Sequence, residues 1–506
     1  MPVSSKHLPA KGFIPALLYA VLGMTLVSCT PNDKGKVRLN ISWEALVHRQ
    51  DLKWDSIPAG IYDAPFLGNM KVGAVIRKPT EGPASTGRDA MLINFNQSDL
   101  NDTCREETGP GYYKRLLLGS LLLKTSSKVR SSNFQLDLWN AELSASMVTD
   151  SGKVLLHAFV HSSLPVVILE FSFSGPEAIS WSYLPVPRGK AVTLSCPQAR
   201  PATGCDIVGT VVKSQKQQMV LYRQDLSSGK NYTVGMVAER SLRKIRLFIT
   251  VITGKGKADM AEEVMNELQR ARLVNYASLQ GSHRRWWHQY YSHALVSVPD
   301  SLVERFYWLQ KYKSGCGIPP LSGSDAPLHP EVSADLGEYA SATLGYAESG
   351  YGNEAMLQLK RYIGGLSGNT LQNISSLANE PPELAMEALQ QMMLQYKDST
   401  LMVFHGMPVS WQDAAFHHFL VNREYYVSAV RAHGKTDFVS IMSLRGNSFK
   451  FRSDLPADSI SMESKLPARV RKIDAYTLSI FIPKSERIIL YRKGRKQKFV
   501  IKEAGE

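Results

Sequence analysis

The run RRWWHQYY, residues 284–291, places Trp286, Trp287, Tyr290 and Tyr291 close together. Aromatic faces stack on the C–H surfaces of sugars, so Trp286 and Trp287 are candidate carbohydrate contacts. The same run could instead be the packed root of a helical domain. Adjacent helical residues point about 100° apart, so the two indoles cannot both face one sugar, and core is the expected role. The acids offer fewer clues. Asp99 and Asp102 lie in NQSDLNDTCREE, a stretch with ordinary turn chemistry. Glu380, in NEPPEL, sits just ahead of a helical pattern, where a carboxylate favours the helix N-terminus. Ser301 and Glu304 read as a capping box. Glu338 and Glu348 occupy helical positions without a distinctive motif. His157, His161, His417 and His418 show neither metal-ligand nor triad context. No Gly-rich phosphate loop, serine nucleophile elbow or metal motif occurs, so neither a cofactor nor a metal is expected.

The elements that must position these residues follow a β, α, β order. From about 40 to 255 the pattern is that of strands: FQLDLW alternates, and AELSASMVT and KVLLHAFVHSS flank a turn at Asp150-Ser151-Gly152. Many strands separated by turn signals indicate a large sandwich. Over 257–279 the period changes, and Ala261, Val264, Leu268 and Ala271 mark an amphipathic helix. A helix begins at PDSLVERFYWLQKY with Leu302, Phe306 and Leu309 on one face. A helical pair broken near Ser349-Gly350 follows, then EPPELAMEALQQMMLQY, with prolines tolerated in the first turn. After Phe404 strands return, with a turn at His433-Gly434-Lys435. The expected fold class is multidomain β plus α.

Length and composition fit two to four ordinary globular domains: 506 residues, 44% hydrophobic and 21% charged. Lys6 and Lys11 precede the apolar run GFIPALLYAVLGMTLVS, which is short for a membrane span and ends in LVSC. That order resembles a bacterial lipobox, with Cys29 as the lipid attachment site, residues 1–29 as signal peptide and 30–40 as a polar tether. The alternative is an ordinary secretory signal with a chance cysteine. The expected location is the cell envelope, anchored to the membrane by lipid and facing the periplasm or the outer surface. Cys104, Cys196, Cys205 and Cys316 match no zinc spacing. Cys196 and Cys205 could close a loop in an exported protein. The net charge is +14, and residues 469–506 hold eleven Lys/Arg against four Asp/Glu, so half the excess is local. A charged strand edge explains it better than nucleic acid, which is not an expected partner.

Three stretches resemble six-hairpin glycosidases, in particular a Bacteroidetes-type branch related to family-95 fucosidase-like glycoside hydrolases. WDSIPAGIYDAPFLGNMKVGAVI (54–76) is similar to the opening motif, usually a proline, an apolar pair and Gly-Asn-Gly; Gly68-Asn69 is kept, and Met70 replaces the second glycine. DLWNAELSASMVTDSG (137–152) resembles the next strand pair. MMLQYKDSTLMVFHGMPVSWQDAAF (392–416) resembles the last barrel helix and its exit, with Phe404, Pro408 and Trp411 matching and His405 departing from the usual proline. The likeness covers most of residues 40–445. It implies an N-terminal β-supersandwich over 41–256, a linker helix and aromatic lead-in over 257–299, an (α/α) barrel region over 300–400, and a small C-terminal β-sandwich with a basic tail over 401–506.

The resemblance also exposes an abridgement. Only 98 residues separate Asp300 from Lys397 inclusive, and they carry four helical patterns. The twelve helices of such a barrel, at about 1.5 Å per residue plus loops, need well over about 200 residues. Glycoside hydrolysis requires two facing carboxylates. By resemblance these come mostly from loops in the missing middle. Glu380 aligns with a glutamate that precedes a proline, and Asp99 and Asp102 lie on a loop that in relatives reaches toward the sugar. The function implied is a lipid-anchored, glycoside-hydrolase-like protein of a glycan utilisation system, glycan-binding or degenerate. A minimal hydrolase completed by a partner chain and a non-catalytic interaction scaffold stand as alternatives. The sugar and the oligomeric state are not specified by the sequence.

Overall fold

The computed structural model describes residues 39–40, 42–60, 63–79, 90–97, 117–187, 207–216, 219–226, 229–255, 260–317, 334–366, 382–466, 468–494 and 499–500. The fold is multidomain, with two β-sandwiches joined by helices, as the alternation and period change imply. In the N-terminal unit a nine-stranded sheet runs Ile207–Lys216, Met219–Leu226, Lys230–Ser241, Lys244–Lys255, Val166–Ser174, Lys153–Val160, Glu142–Thr149, Val129–Asp137 and Leu52–Trp54. It faces a five-stranded sheet ordered Ile179–Leu184, Ser120–Thr125, Ala90–Gln97, Val72–Arg77 and Phe66–Gly68. Strand Glu142–Thr149 shows why one face turns inward: Leu143, Ala145 and Met147 are buried while Ser144 and Val148 are exposed. The turn at residues 150–152 joins it to Lys153–Val160 as expected.

Seven helices occur among the described residues: α1 (Trp43–His48), α2 (Ala261–Leu273), α3 (Tyr276–Ser292), α4 (Ser301–Gly315), α5 (Ala334–Glu348), α6 (Gly352–Gly364) and α7 (Pro382–Met393). The linker helix has the expected buried face, Ala261, Val264, Leu268 and Ala271, laid on the nine-stranded sheet. It stops sooner than the periodicity suggested. Val274 is extended, and Asn275 caps α3 through its side chain. Helices α4 to α7 are the four expected between Asp300 and Lys397, and the α5–α6 break falls at Gly350. The tail of the last helical stretch is a strand, Leu394–Lys397, paired with Thr400–Val403. The C-terminal sandwich has a six-stranded and a five-stranded sheet, and Leu295–Ser297, from the lead-in to α4, forms one edge of the former. Leu39–Asn40, at the end of the expected tether, pairs with Phe499–Val500.

Helix α4 lies at the meeting point of these units. Phe306 through Lys313 are all buried, including Gln310, Lys311 and Lys313. Its N-cap is Asp300, which accepts from Val303 N at 3.2 Å, so the expected Ser301 cap moves back by one residue. Glu304 does not close a capping box. It is buried, accepts from Val298 N and Gln50 Nε2, and faces Arg49 at 3.7 Å. Leu302, expected on the inner face, is exposed, while Phe306 and Leu309 are fully enclosed.

The aromatic run is the seam between α3 and α4. Trp287 and Tyr291 are fully buried; Trp287 lies 5.3 Å from the Tyr312 ring, and Tyr291 OH donates to Leu138 O at 2.8 Å. Trp287 therefore has no face to offer a sugar. Trp286 is half-buried and stacked on Tyr290 at 5.3 Å. Lys311 threads the same seam. Its amine donates to Tyr291 O at 2.9 Å and to Ala294 O, between the Trp308 and Tyr290 rings. Burial pushes its pKa down to about 7. A neutral amine has two N–H donors, and two carbonyls receive them.

Two outcomes follow from this seam. Trp287→Ala should cost about 3–5 kcal/mol, as a large buried aromatic does. Trp286→Ala should cost only about 1–2 kcal/mol, for a stacked, half-buried ring; urea unfolding of both variants measures the difference, and equal losses would contradict the packing. The second outcome concerns Lys311. The unfolded chain keeps this proton up to about pH 10.5, whereas the fold releases it near 7. Between those values the unfolded state binds more protons, so the Lys311 contribution to stability rises with pH, by at most about 1.4 kcal/mol per unit. Lys311→Met should remove that rise, seen as a flatter change in unfolding free energy between pH 7 and 9 than in the natural protein.

Candidate functional site

The turn that carries the Gly68-Asn69-Met70 motif docks on the C-terminal end of α4. Met70 N donates to Cys316 O at 3.0 Å. A Cβ at Gly68 would lie 2.6 Å from that same carbonyl oxygen, so only glycine allows this approach. Asn69 ties the turn together: its Oδ1 accepts from Lys71 N and Val72 N, and its Nδ2 donates to His161 O and Leu164 O, both at 2.8 Å. Met70, where the related pattern has glycine, adopts φ +69°, a conformation that costs a non-glycine residue about 1–2 kcal/mol. Gln97, the last described residue before the segment with Asp99 and Asp102, pairs with Val72 on the neighbouring strand.

The start of α7, two residues past Glu380, belongs to the other end of the helical layer. Helices α5 and α7 finish side by side, with Gln395 Nε2 donating to Ala347 O at 2.6 Å. Helix α6 runs back along them, Arg361 sits over the Tyr339 ring, and Lys360 pairs with Asp300 at 2.6 Å. Helix α7 thus begins near the N-terminal end of α4, whereas Gln97 lies near its C-terminal end. A helix of this length spans about 22 Å. Asp99, Asp102, Glu380 and Cys29, with Cys104, Cys196 and Cys205, lie outside the described residues. Glu338 falls within α5, and Glu348 ends it without a charged partner opposite among the described residues. Cys316 is buried and forms no disulfide among the described residues.

The histidines singled out by type are all tied into packing. His157 bridges Tyr276 OH and Glu142 Oε2, both at 2.8 Å. Glu142 also receives Arg284 on both oxygens and Gln280 on one. Burial pushes its carboxyl up, but the hydrogen bonds and charges of Arg284 and His157 outweigh that and hold it down to about 2. This hub fastens α3 to the nine-stranded sheet, and sequence reasoning missed it because its members come from three distant segments. His161 accepts from Leu164 N at 3.1 Å and reaches Ser282 Oγ at 3.0 Å. His417 stacks on His418 at 4.2 Å and bonds Ser428 Oγ; burial, then the neighbouring His418, Arg487 and Lys311, push it down to about 3.

A cleft of about 350 Å³ opens at one end of the N-terminal sandwich, with Met91, Leu123, Met147 and Phe171 on its floor and Lys78, Lys124 and Arg130 at its rim. A smaller polar cleft of about 190 Å³ lies between α2 and the turn after Asn69, lined by Lys71, Gln97, Glu263, Glu267 and Arg270. Neither holds two carboxylates on facing walls: Glu263 and Glu267 share one helix, one turn apart.

No protein-family description and no curated protein matches this chain. Among solved structures it is similar to a protein described as a kojibiose phosphorylase from human microbiome, with 12% identity and TM-score 0.36 over 66% of this chain and 52% of that one. A bacterial glucoamylase complexed with acarbose gives 10% identity and TM-score 0.31 over 61% and 52%. The family GH92 alpha-mannosidase from Bacteroides thetaiotaomicron, in complex with mannoimidazole, gives 7% and 0.26 over 69% and 55%. The chain spans about half the length of these structures. None of these likenesses is high enough to carry an activity from those proteins to this one.

Proposed function

We propose that this chain is a glycan-binding member of a polysaccharide-degradation system, built on a glycoside-hydrolase-like plan and without hydrolase activity of its own. It resembles the family-95 fucosidase-like branch in the order of its motifs, and it is held at the cell envelope by lipid on Cys29. The observation that carries the reading is the layout around α4. A supersandwich, linker helices, a four-helix layer and a second sandwich follow in the glycosidase order. Yet only four helices lie between Asp300 and Lys397 among the described residues. Hydrolysis needs an acid and a base on facing walls with water between them. Four helices supply about a third of a twelve-helix ring, too few to set one wall facing another.

The test is to assay the purified chain on fucosides, galactosides, rhamnosides and plant polysaccharides beside Glu380→Gln, and to place both on a glycan array. Array binding without product is the expected result. Turnover that disappears in Glu380→Gln would overturn the proposal in favour of a minimal hydrolase, and neither binding nor turnover would favour an interaction scaffold. For the anchor, Cys29→Ala should move the protein from the detergent to the aqueous phase on partitioning; unchanged partitioning would rule out lipid on Cys29.

A further inference from the structure

One imidazole and two carboxylates come together beside the edge of the nine-stranded sheet. His48, the last residue of α1, and Asp51, just beyond it, meet Asp137 at the end of strand Val129–Asp137. His48 Nδ1 lies 3.1 Å from Asp51 Oδ2 and 3.4 Å from Asp137 Oδ1, and the three candidate ligand atoms are all within 4.8 Å of one another. Four ligands placed tetrahedrally around zinc, at bonds of about 2.0–2.2 Å, sit about 3.3–3.5 Å apart. The observed 3.4 Å spacing falls in that range, and the 3.1 Å spacing lies just below it.

The surroundings match a ligand set as well. Glu44 Oε1 lies 3.6 Å from the other ring nitrogen of His48, the place where a carboxylate orients a metal-binding imidazole. Asp51 is held by Leu138 N on Oδ1 and by Gln135 Nε2 on Oδ2, and Asp137 by the backbone and side-chain amides of Asn140. Those bonds fix both carboxylates in place and leave each oxygen a further lone pair. The Asp51 side chain is 6% exposed, yet it faces a second carboxylate. Two like charges at that separation repel. A divalent cation would relieve that repulsion. His48 and Asp137, at 32% and 23% exposed, leave the fourth position open to water.

We propose that His48 Nδ1, Asp51 and Asp137 form a three-ligand site for a divalent transition metal of the zinc type. One imidazole with two carboxylates suits zinc, cobalt or manganese better than calcium or magnesium, which take all-oxygen shells. The metal would pin α1 to the edge of the nine-stranded sheet.

Cobalt(II) reports on such a site by its visible absorption, and the full chain can be titrated with it and then with zinc. The expected result is one equivalent of cobalt with a tetrahedral-type spectrum, displaced by zinc. Affinity should fall at least about ten-fold in His48→Gln and in Asp137→Asn, and by a smaller factor in Glu44→Gln. His433→Asn, at an exposed histidine elsewhere, should leave it unchanged. Circular dichroism establishes that each variant is folded, and two independent ligand variants guard against loss of one. Equal cobalt binding in the natural chain and both ligand variants would overturn the assignment, as would no stoichiometric binding. Preference for calcium or magnesium over zinc would overturn the choice of metal.

Discussion

Helix α4 has almost no solvent face, and the rest of the molecule is arranged around that fact. Its aromatic residues meet α3 on one side through Trp287 and Tyr291, and the opening turn of the supersandwich through Tyr312, whose hydroxyl donates to Phe66 O at 2.8 Å. Its N-terminal half meets α6 through Phe306 and Tyr362. A helix enclosed this way cannot leave its polar groups to water, so partners inside stabilise it, although Trp308 Nε1 and Gln310 Nε2 find none among the described residues. Glu304 finds Gln50 and Arg49, 254 and 255 residues earlier in the chain, and Lys311 finds the carbonyls at the end of α3. Burial still raises the Glu304 carboxyl, with the Arg49 charge opposing it. The polar contacts therefore fix how the units meet, while the aromatic area supplies the larger share of the driving force.

The same enclosure explains where sequence reading worked and where it did not. Helix α2 lies on a sheet with one face in and one face out, so its three-and-four spacing named every buried position correctly. For α4 the spacing has little meaning, because a helix surrounded by protein buries whatever residue it presents. Leu302 was assigned to the core by period and is exposed, whereas Gln310 and Lys313 are polar and enclosed. The cap went astray for a related reason. Asp300 and Ser301 are both good N-caps, and what distinguishes them is the fate of Glu304, which is drawn into a tertiary contact rather than a local box.

Local motifs were legible in proportion to how local their physics is. Gly68 is required by a backbone approach to Cys316 O, and Asn69 by four hydrogen bonds that knit two turns. The departure at Met70 could be seen in the sequence, and its consequence is a left-handed backbone held by a non-glycine residue. The Glu142 hub and the His48–Asp51–Asp137 cluster could not be seen. They are assembled by strand pairing: Leu52–Trp54 lies against Phe134–Leu136, which carries residue 137 to residue 51 across a gap of more than eighty positions. No spacing rule captures a neighbour made by register.

An abridged helical layer raises the question of how it folds without a ring. In a closed barrel each inner helix is covered by its neighbours around the circle. Here α4 is covered by other means: α3 and the supersandwich turn on one flank, the edge strand Leu295–Ser297 and the second sandwich on another. Helices α5, α6 and α7 then form a layer with one packed side and one open side. Ala340, Ala347, Leu359 and Met392 are enclosed, while Tyr346, Tyr351 and Leu357 remain exposed. The two sandwiches act as walls for this layer, so its stability does not depend on closing a circle. What keeps these helices folded is thus packing against the two sandwiches rather than packing around a ring.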